Sequence, residues 1–256
     1  MMDQSLMQKA ARQALQCLDL TSLNDGDTAA DIAALCARAQ TPFGPVAAVC
    51  VWPRFVAQAR ALLPANIRVA AVANFPAGDL DLARTLADVQ EIATAGGDEV
   101  DVVLPYRALM QGQSVECAEF LAEVRHATRP LTLKVIIESG ELLTTDLIAQ
   151  GARLALMAGA DFVKTSTGKT KLSATPKAAT LILHEIAVSG FGSAGFKASG
   201  GIRTVADAQV YLQLVETHLG AAAIGPQRLR FGASALLGDI EAVLSGSPVA
   251  AAAGAY

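Results

Sequence analysis

The sequence predicts one α/β domain, a (β/α)8 barrel of the TIM type, and three observations carry that expectation. Eight short β-rich runs alternate with helical stretches from near the start to about Ser245. Several runs are continuously apolar, such as Val46-Ala47-Ala48-Val49-Cys50-Val51, as parallel strands covered on both faces are. A chain of 256 residues also suits eight strand–helix units. Apolar residues form 52% of the chain and charged residues 17%, enough to fill a large core. Periodicity alone does not separate a short buried strand from a buried helical turn, and an open doubly wound sheet is the competing arrangement.

Taken in order, an extra N-terminal helix precedes strands expected at 15–20, 46–52, 68–74 and 99–104. The remaining strands are expected at 131–137, 161–165, 195–198 and 228–232. Leu82, Leu86, Val89 and Ile92 form a helical stripe that Gly96-Gly97 stops. Thr175 before Pro176 reads as an N-cap with proline in the first turn. Thr204 and Asp207 resemble a capping box with aspartate in place of glutamate. Residues 1–245 are expected to form the barrel, and the alanine-rich segment 246–256 a flexible tail.

One internal similarity ties the units together. Ala95-Gly96-Gly97-Asp98-Glu99-Val100-Asp101 and Ala158-Gly159-Ala160-Asp161-Phe162-Val163-Lys164 share one grammar of helix end, aspartate turn and strand start. Asp101 and Lys164 occupy equivalent slots, so both side chains are expected to face the barrel interior.

Composition excludes several classes. Net charge is −4 with no long basic run, which argues against a nucleic-acid partner. Cys17, Cys36, Cys50 and Cys117 form no C-x-x-C pair, so neither a zinc site nor a disulfide framework is indicated. His126, His184 and His218 lack metal-ligand spacing. The first 15 residues lack the apolar stretch of a secretory signal, and no run approaches the ~20 apolar residues of a membrane helix. The expectation is a cytoplasmic protein without metal or other cofactor, and with neither a membrane nor a nucleic acid as partner.

The chemistry lies in two strand-end lysines. Lys164 closes Asp161-Phe162-Val163-Lys164 before Thr165-Ser166-Thr167-Gly168-Lys169, and Lys197 sits in Gly195-Phe196-Lys197-Ala198-Ser199-Gly200-Gly201. An apolar strand disfavours the ammonium form, and a neutral amine attacks carbonyls to form Schiff bases. Starting from a pKa near ~10.4, such a nucleophile needs a depression of roughly three units, or about 4 kcal/mol. Lys197 is the expected neighbouring cation. The competing reading is a lysine snorkelling to solvent.

Asp101 is a charge inside an apolar strand, suited to proton transfer or to pairing with Lys134; a purely structural ion pair is the alternative. Asp19 reads equally as a turn residue. Gly200-Gly201 and Gly232-Ala233-Ser234 follow the last two strands, where barrels often hold phosphate on backbone N–H groups, and Gly168-Lys169 adds a charge. Each glycine alone also suits an ordinary turn. Cys50 reads as a buried apolar residue, with a reactive thiol as the lesser reading.

Taken in order, the segments around Asp19, Asp101 to Arg107, Lys134 to Glu138, Lys164, Lys197, Gly200 to Arg203 and Arg230 to Ser234 resemble the deoxyribose-phosphate aldolases, a class I, Schiff-base-forming family. The likeness runs from about Leu15 to Leu244. It implies a barrel that cleaves 2-deoxy-D-ribose 5-phosphate reversibly to glyceraldehyde 3-phosphate and acetaldehyde, with no metal. It implies Lys164 as the Schiff-base lysine and Lys197 as the cation beside it. Asp101 is implied as the proton-transfer residue, supported by Lys134 and Asp19. Thr167, Gly168, Lys169, Gly200, Gly201, Gly232 and Ser234 match the substrate and phosphate surroundings, and Tyr256 matches the family's terminal tyrosine. Some members carry a second serine where this chain has Ala235. The expected partner is a small phosphorylated aldehyde, with a homodimer as a possible assembly. Another class I sugar-phosphate aldolase or transaldolase, and a non-catalytic barrel that binds phosphorylated metabolites, are the competing functions.

Overall fold

The apolar runs form eight parallel strands that close on themselves into one barrel. The computed structural model describes residues 4–246. Its barrel strands are β1 (Leu18–Thr21), β2 (Ala48–Val51), β3 (Arg68–Ala73), β4 (Glu99–Val103), β5 (Thr132–Ile136), β6 (Phe162–Lys164), β7 (Gly195–Ser199) and β8 (Leu229–Ala233). Each strand pairs with its neighbours in sequence, and β8 closes the barrel on β1 through Leu18–Phe231, Asp19–Gly232 and Leu20–Ala233. The open-sheet alternative is thereby removed.

The helices follow from their caps and stripes. α1 (Gln4–Gln16) is the extra N-terminal helix and packs on α9 (Val205–Leu219) and α10 (Leu236–Ser245). α2 (Ala29–Arg38) begins in a capping box of Thr28 and Asp31. α3 (Val56–Leu62), α4 (Leu82–Thr94), α5 (Tyr106–Met110), α6 (Ser114–Thr128), α7 (Thr145–Met157) and α8 (Pro176–Val188) complete the outer layer. The expected caps at Thr175 and at Thr204 with Asp207 are present. Gly246 ends α10 with φ 70°, a left-handed conformation that glycine adopts without a Cβ clash. The rest of the expected tail, residues 247–256, lies outside the described residues, and Tyr256 with it.

The sequence misplaced one strand start. Leu15 and Gln16, expected in the first strand, belong to α1, where Leu15 joins Ala10, Ala11 and Ala14 on the buried face. A helical stripe and an apolar strand abut there, and the run reads the same either way. A small hairpin of Gln40–Thr41 against Gly44–Pro45, absent from the expectations, carries the chain into β2.

The repeated unit has a structural cause. Asp98 accepts the Val69 N–H at 2.8 Å and pairs with Arg60; Asp161 accepts the Leu133 N–H at 2.8 Å and pairs with Arg125. Each aspartate thus fastens the start of its own strand to the preceding one, fixing register at the barrel's lower end. Asp101 and Lys164, three residues further on, are aimed inward as a result.

Candidate active site

Strand alternation brings charged side chains onto neighbouring rungs of the barrel interior. Glu99 and Asp101 are two apart on β4, and Asp101 lies in register with Lys134 on β5. Lys164 on β6 lies in register with Lys197 on β7, which is in register with Arg230 on β8. Asp19 on β1 completes the set. All seven side chains are at most 5% exposed.

Six of them form a closed ring of alternating sign. Asp101 accepts from Lys134 at 2.7 Å, and Lys134 meets Glu99 at 2.5 Å. Glu99 receives Arg230 at 2.7 and 3.2 Å, and Arg230 reaches Asp19 at 2.5 Å. Asp19 accepts from Lys197, which donates to Asp101 at 2.8 Å. Three carboxylates balance three cations. Lys164 is the seventh member and hangs from the ring by one bond, 2.8 Å to Asp101 Oδ2. It is the surplus positive charge in this set.

The electrostatics follow that count. Burial lowers the Lys164 pKa; Lys197 pushes the same way, and Asp101 opposes them without prevailing. Burial would also lower Lys197, yet Asp101 and Asp19 hold it above the ordinary lysine value. Lys134 is likewise raised by Asp101 and Glu99 against the cost of burial. Burial disfavours charge on Asp101, but Lys134, Lys164 and Lys197 hold its carboxyl well below the usual range. Arg230, Lys197 and Lys134 do the same for Asp19. One lysine therefore tends towards the neutral amine while its neighbours stay charged.

An open cleft of about 320 Å³ lies one rung above. Thr21, Ser199 and Gly232, each two residues beyond Asp19, Lys197 and Arg230, line it. Thr167, Gly168, Lys169, Gly200, Gly201 and Ser234 line it too, so the expected glycines and hydroxyls converge on one space. Gly200 has φ 84°, and a Cβ there would lie 2.5 Å from Ser173 Oγ. A Cβ on Gly232 would lie 2.6 Å from Ser199 Oγ and 3.1 Å from Lys197 Cε, so glycine leaves room for the lysine beneath. Ser234 and Ala235 stand at the N-terminus of α10, whose unpaired N–H groups favour an anion.

The structure brings Asp19, Asp101, Lys134, Lys164 and Lys197 together; only Tyr256 lies outside the described residues. Asp19 is not a turn residue: it is inside β1 and fully buried between cations. The sequence reading missed Glu99, Arg230 and Glu138. Glu99 has the i, i+2 spacing from Asp101 that would have revealed it. Glu138 follows β5 with φ 51° and accepts from Thr167 N–H and Oγ1 and from Thr170 Oγ1, holding the loop that carries Gly168 and Lys169. Burial raises its pKa. Arg203 also lines the cleft. Cys50 is buried near the lysines, and burial pushes its thiol pKa up. Among the described residues, no group of three or more His, Cys, Asp or Glu could hold a metal ion, and no helix is long and apolar enough to cross a membrane.

The DeoC/LacD family aldolase model matches residues 13–239. A deoxyribose-phosphate aldolase of Agrobacterium fabrum is 47% identical over 251 residues, covering 97% of this chain and 96% of the relative. A solved apo structure provisionally assigned as a deoxyribose-phosphate aldolase of Toxoplasma gondii superposes with a TM-score of 0.86 at 26% identity, over 96% of this chain and 100% of that one. Another with the same provisional assignment, from Coccidioides immitis, gives 0.76 at 31% identity over 90% and 87%.

Proposed function

The chain belongs to the DeoC/LacD family of aldolases, and we propose that it does its chemistry through a Schiff base on Lys164. The reaction is the reversible cleavage of 2-deoxy-D-ribose 5-phosphate to D-glyceraldehyde 3-phosphate and acetaldehyde. The observation that carries the assignment of Lys164 is its place outside the neutral ring, as the surplus cation with a lowered pKa beside the Asp101 carboxylate.

In the cleavage direction, the neutral amine adds to the substrate aldehyde and water leaves, giving an iminium. The iminium draws electrons from the bond between the second and third carbons. The third-carbon hydroxyl gives up its proton, accepted by Asp101 through water, as that carbon becomes the aldehyde of the departing triose phosphate. The enamine of acetaldehyde left on Lys164 takes a proton at carbon and is hydrolysed. Lys197 stays charged throughout and adds to burial in lowering the Lys164 pKa. The phosphate lies against Gly168, Gly200, Gly201, Gly232 and Ser234, with Thr167 and Lys169 beside it. Tyr256 is kept as the proposed donor to the enamine carbon.

Borohydride reduction in the presence of acetaldehyde, followed by peptide mapping, tests this. One reduced acetaldehyde unit on the Lys164 peptide is expected; no adduct there sinks the mechanism.

The protein is proposed to act in the cytoplasm, which four buried free thiols suit. A homodimer is the proposed assembly, supported only by exposed apolar side chains such as Leu143, Met157 and Val188. Sedimentation as a monomer would remove it.

A further inference from the structure

We propose that Glu99 and Arg230 are positioning residues that set the charge state of Lys164 by closing the buried ring. This rests on Lys164 being the Schiff-base lysine. Neither residue bonds Lys164 directly: Arg230 bonds Asp19 and Glu99, and Glu99 bonds Arg230 and Lys134. Arg230 is fixed from below: its Nε donates to Pro226 O, and its guanidinium lies 5.5 Å over the Phe162 ring. Its other nitrogens bridge Glu99 and Asp19, joining β4 to β1 across the interior. Without Glu99, Lys134 would keep Asp101 and the more distant Asp19; without Arg230, Asp19 would be left with Lys197 and, at 3.8 Å, Lys134.

Charges in a dry space act on Lys164 from every side. The groups around Lys164 are Asp101 on β4, Lys134 on β5 with Glu138 beyond it, Lys197 on β7 and Cys50 on β2. Asp19, Glu99 and Arg230 form the next layer. Glu138 spends its oxygens on Thr167 and Thr170 and makes no ion pair with the ring among the described residues. With the ring balanced, Lys164 is the member whose proton is least compensated. Removing the Glu99 charge leaves the six-membered ring with one excess positive charge and drives the Lys164 proton off more readily. Removing the Arg230 charge leaves the ring with one excess negative charge and retains the proton.

The two halves of one ion pair should therefore move the enzyme in opposite directions. The experiment measures the pH profile of kcat/KM and of borohydride trapping at Lys164 for Glu99→Gln, Arg230→Met and the double variant. Glu99→Gln should shift the acid limb down by roughly one pH unit and Arg230→Met up by a similar amount. The double variant, neutral again, should return close to the wild-type limb. Shifts in the same direction, or none, overturn the proposal. A double variant that does not fold also overturns it, because the pair would then be holding the barrel together rather than setting charge. Wild-type protein run in parallel separates the two ideas: no adduct on Lys164 defeats the Schiff-base assignment, whereas an adduct with unmoved limbs defeats only this one.

Discussion

Replacing Lys197 with methionine removes a buried cation while roughly keeping the length of the side chain. Lys164 Nζ and Lys197 Nζ each lie 2.8 Å from the same Asp101 oxygen, so they are separated by at most twice that distance. Two unit charges ~5 Å apart at an effective dielectric of about 20 repel by about 3 kcal/mol. Relieving that repulsion raises the Lys164 pKa by roughly two units. The acid limb of kcat/KM should move up by that amount, and along it activity should fall roughly a hundredfold. The variant also leaves Asp19 and Asp101 short of a partner, at a stability cost of about 3–5 kcal/mol. The position of the limb, not the rate at one pH, is therefore the readout, and Lys197→Arg serves as the charge-retaining control. A limb that stays in place or moves to lower pH in Lys197→Met refutes the reasoning.

Gly232→Ala places a Cβ 2.6 Å from Ser199 Oγ and 3.1 Å from Lys197 Cε, and overpacking there should cost about 1–3 kcal/mol and lower kcat; thermal melts and steady-state rates check it. Ala235→Ser adds a hydroxyl at the N-terminus of α10 and should raise the kcat/KM ratio of phosphorylated to plain aldehyde substrates; an unchanged ratio removes the idea. Asp19 and Asp101 bind protons less readily folded than unfolded, since their folded pKa values lie below the ordinary 3.8. Their contribution to stability is therefore present above that pH and lost as pH falls below it, so the melting temperature should drop steeply under about pH 4. A flat profile from pH 6 to strong acid would contradict this.

The legible parts of the site were those in which a residue contradicts its surroundings. Lys164, Lys134 and Asp101 interrupt apolar runs, and a charge there needs a reason. Glu99 escaped notice because it follows Asp98 at a strand start, where an acid looks like an ordinary boundary residue. Arg230 stands beside Arg228 near the start of its run and is disguised in the same way. Asp19 looked like a turn because its partners lie 178 and 211 residues away, and no local pattern announces them. The barrel was legible because each strand–helix unit carries its own signals; the short first strand was blurred because α1 runs apolar into it.

The ring also bears on how the chain comes to be folded. Its members span from Asp19 to Arg230, so β8 must dock before the last two links can close. Until then Glu99 and Asp19 face a half-built interior with too few cations, and water must remain to solvate them. Drying of the barrel is thus coupled to arrival of the final strand, a contact of very long sequence separation and hence slow to form. The charge surroundings of Lys164 are therefore complete only once β8 has docked.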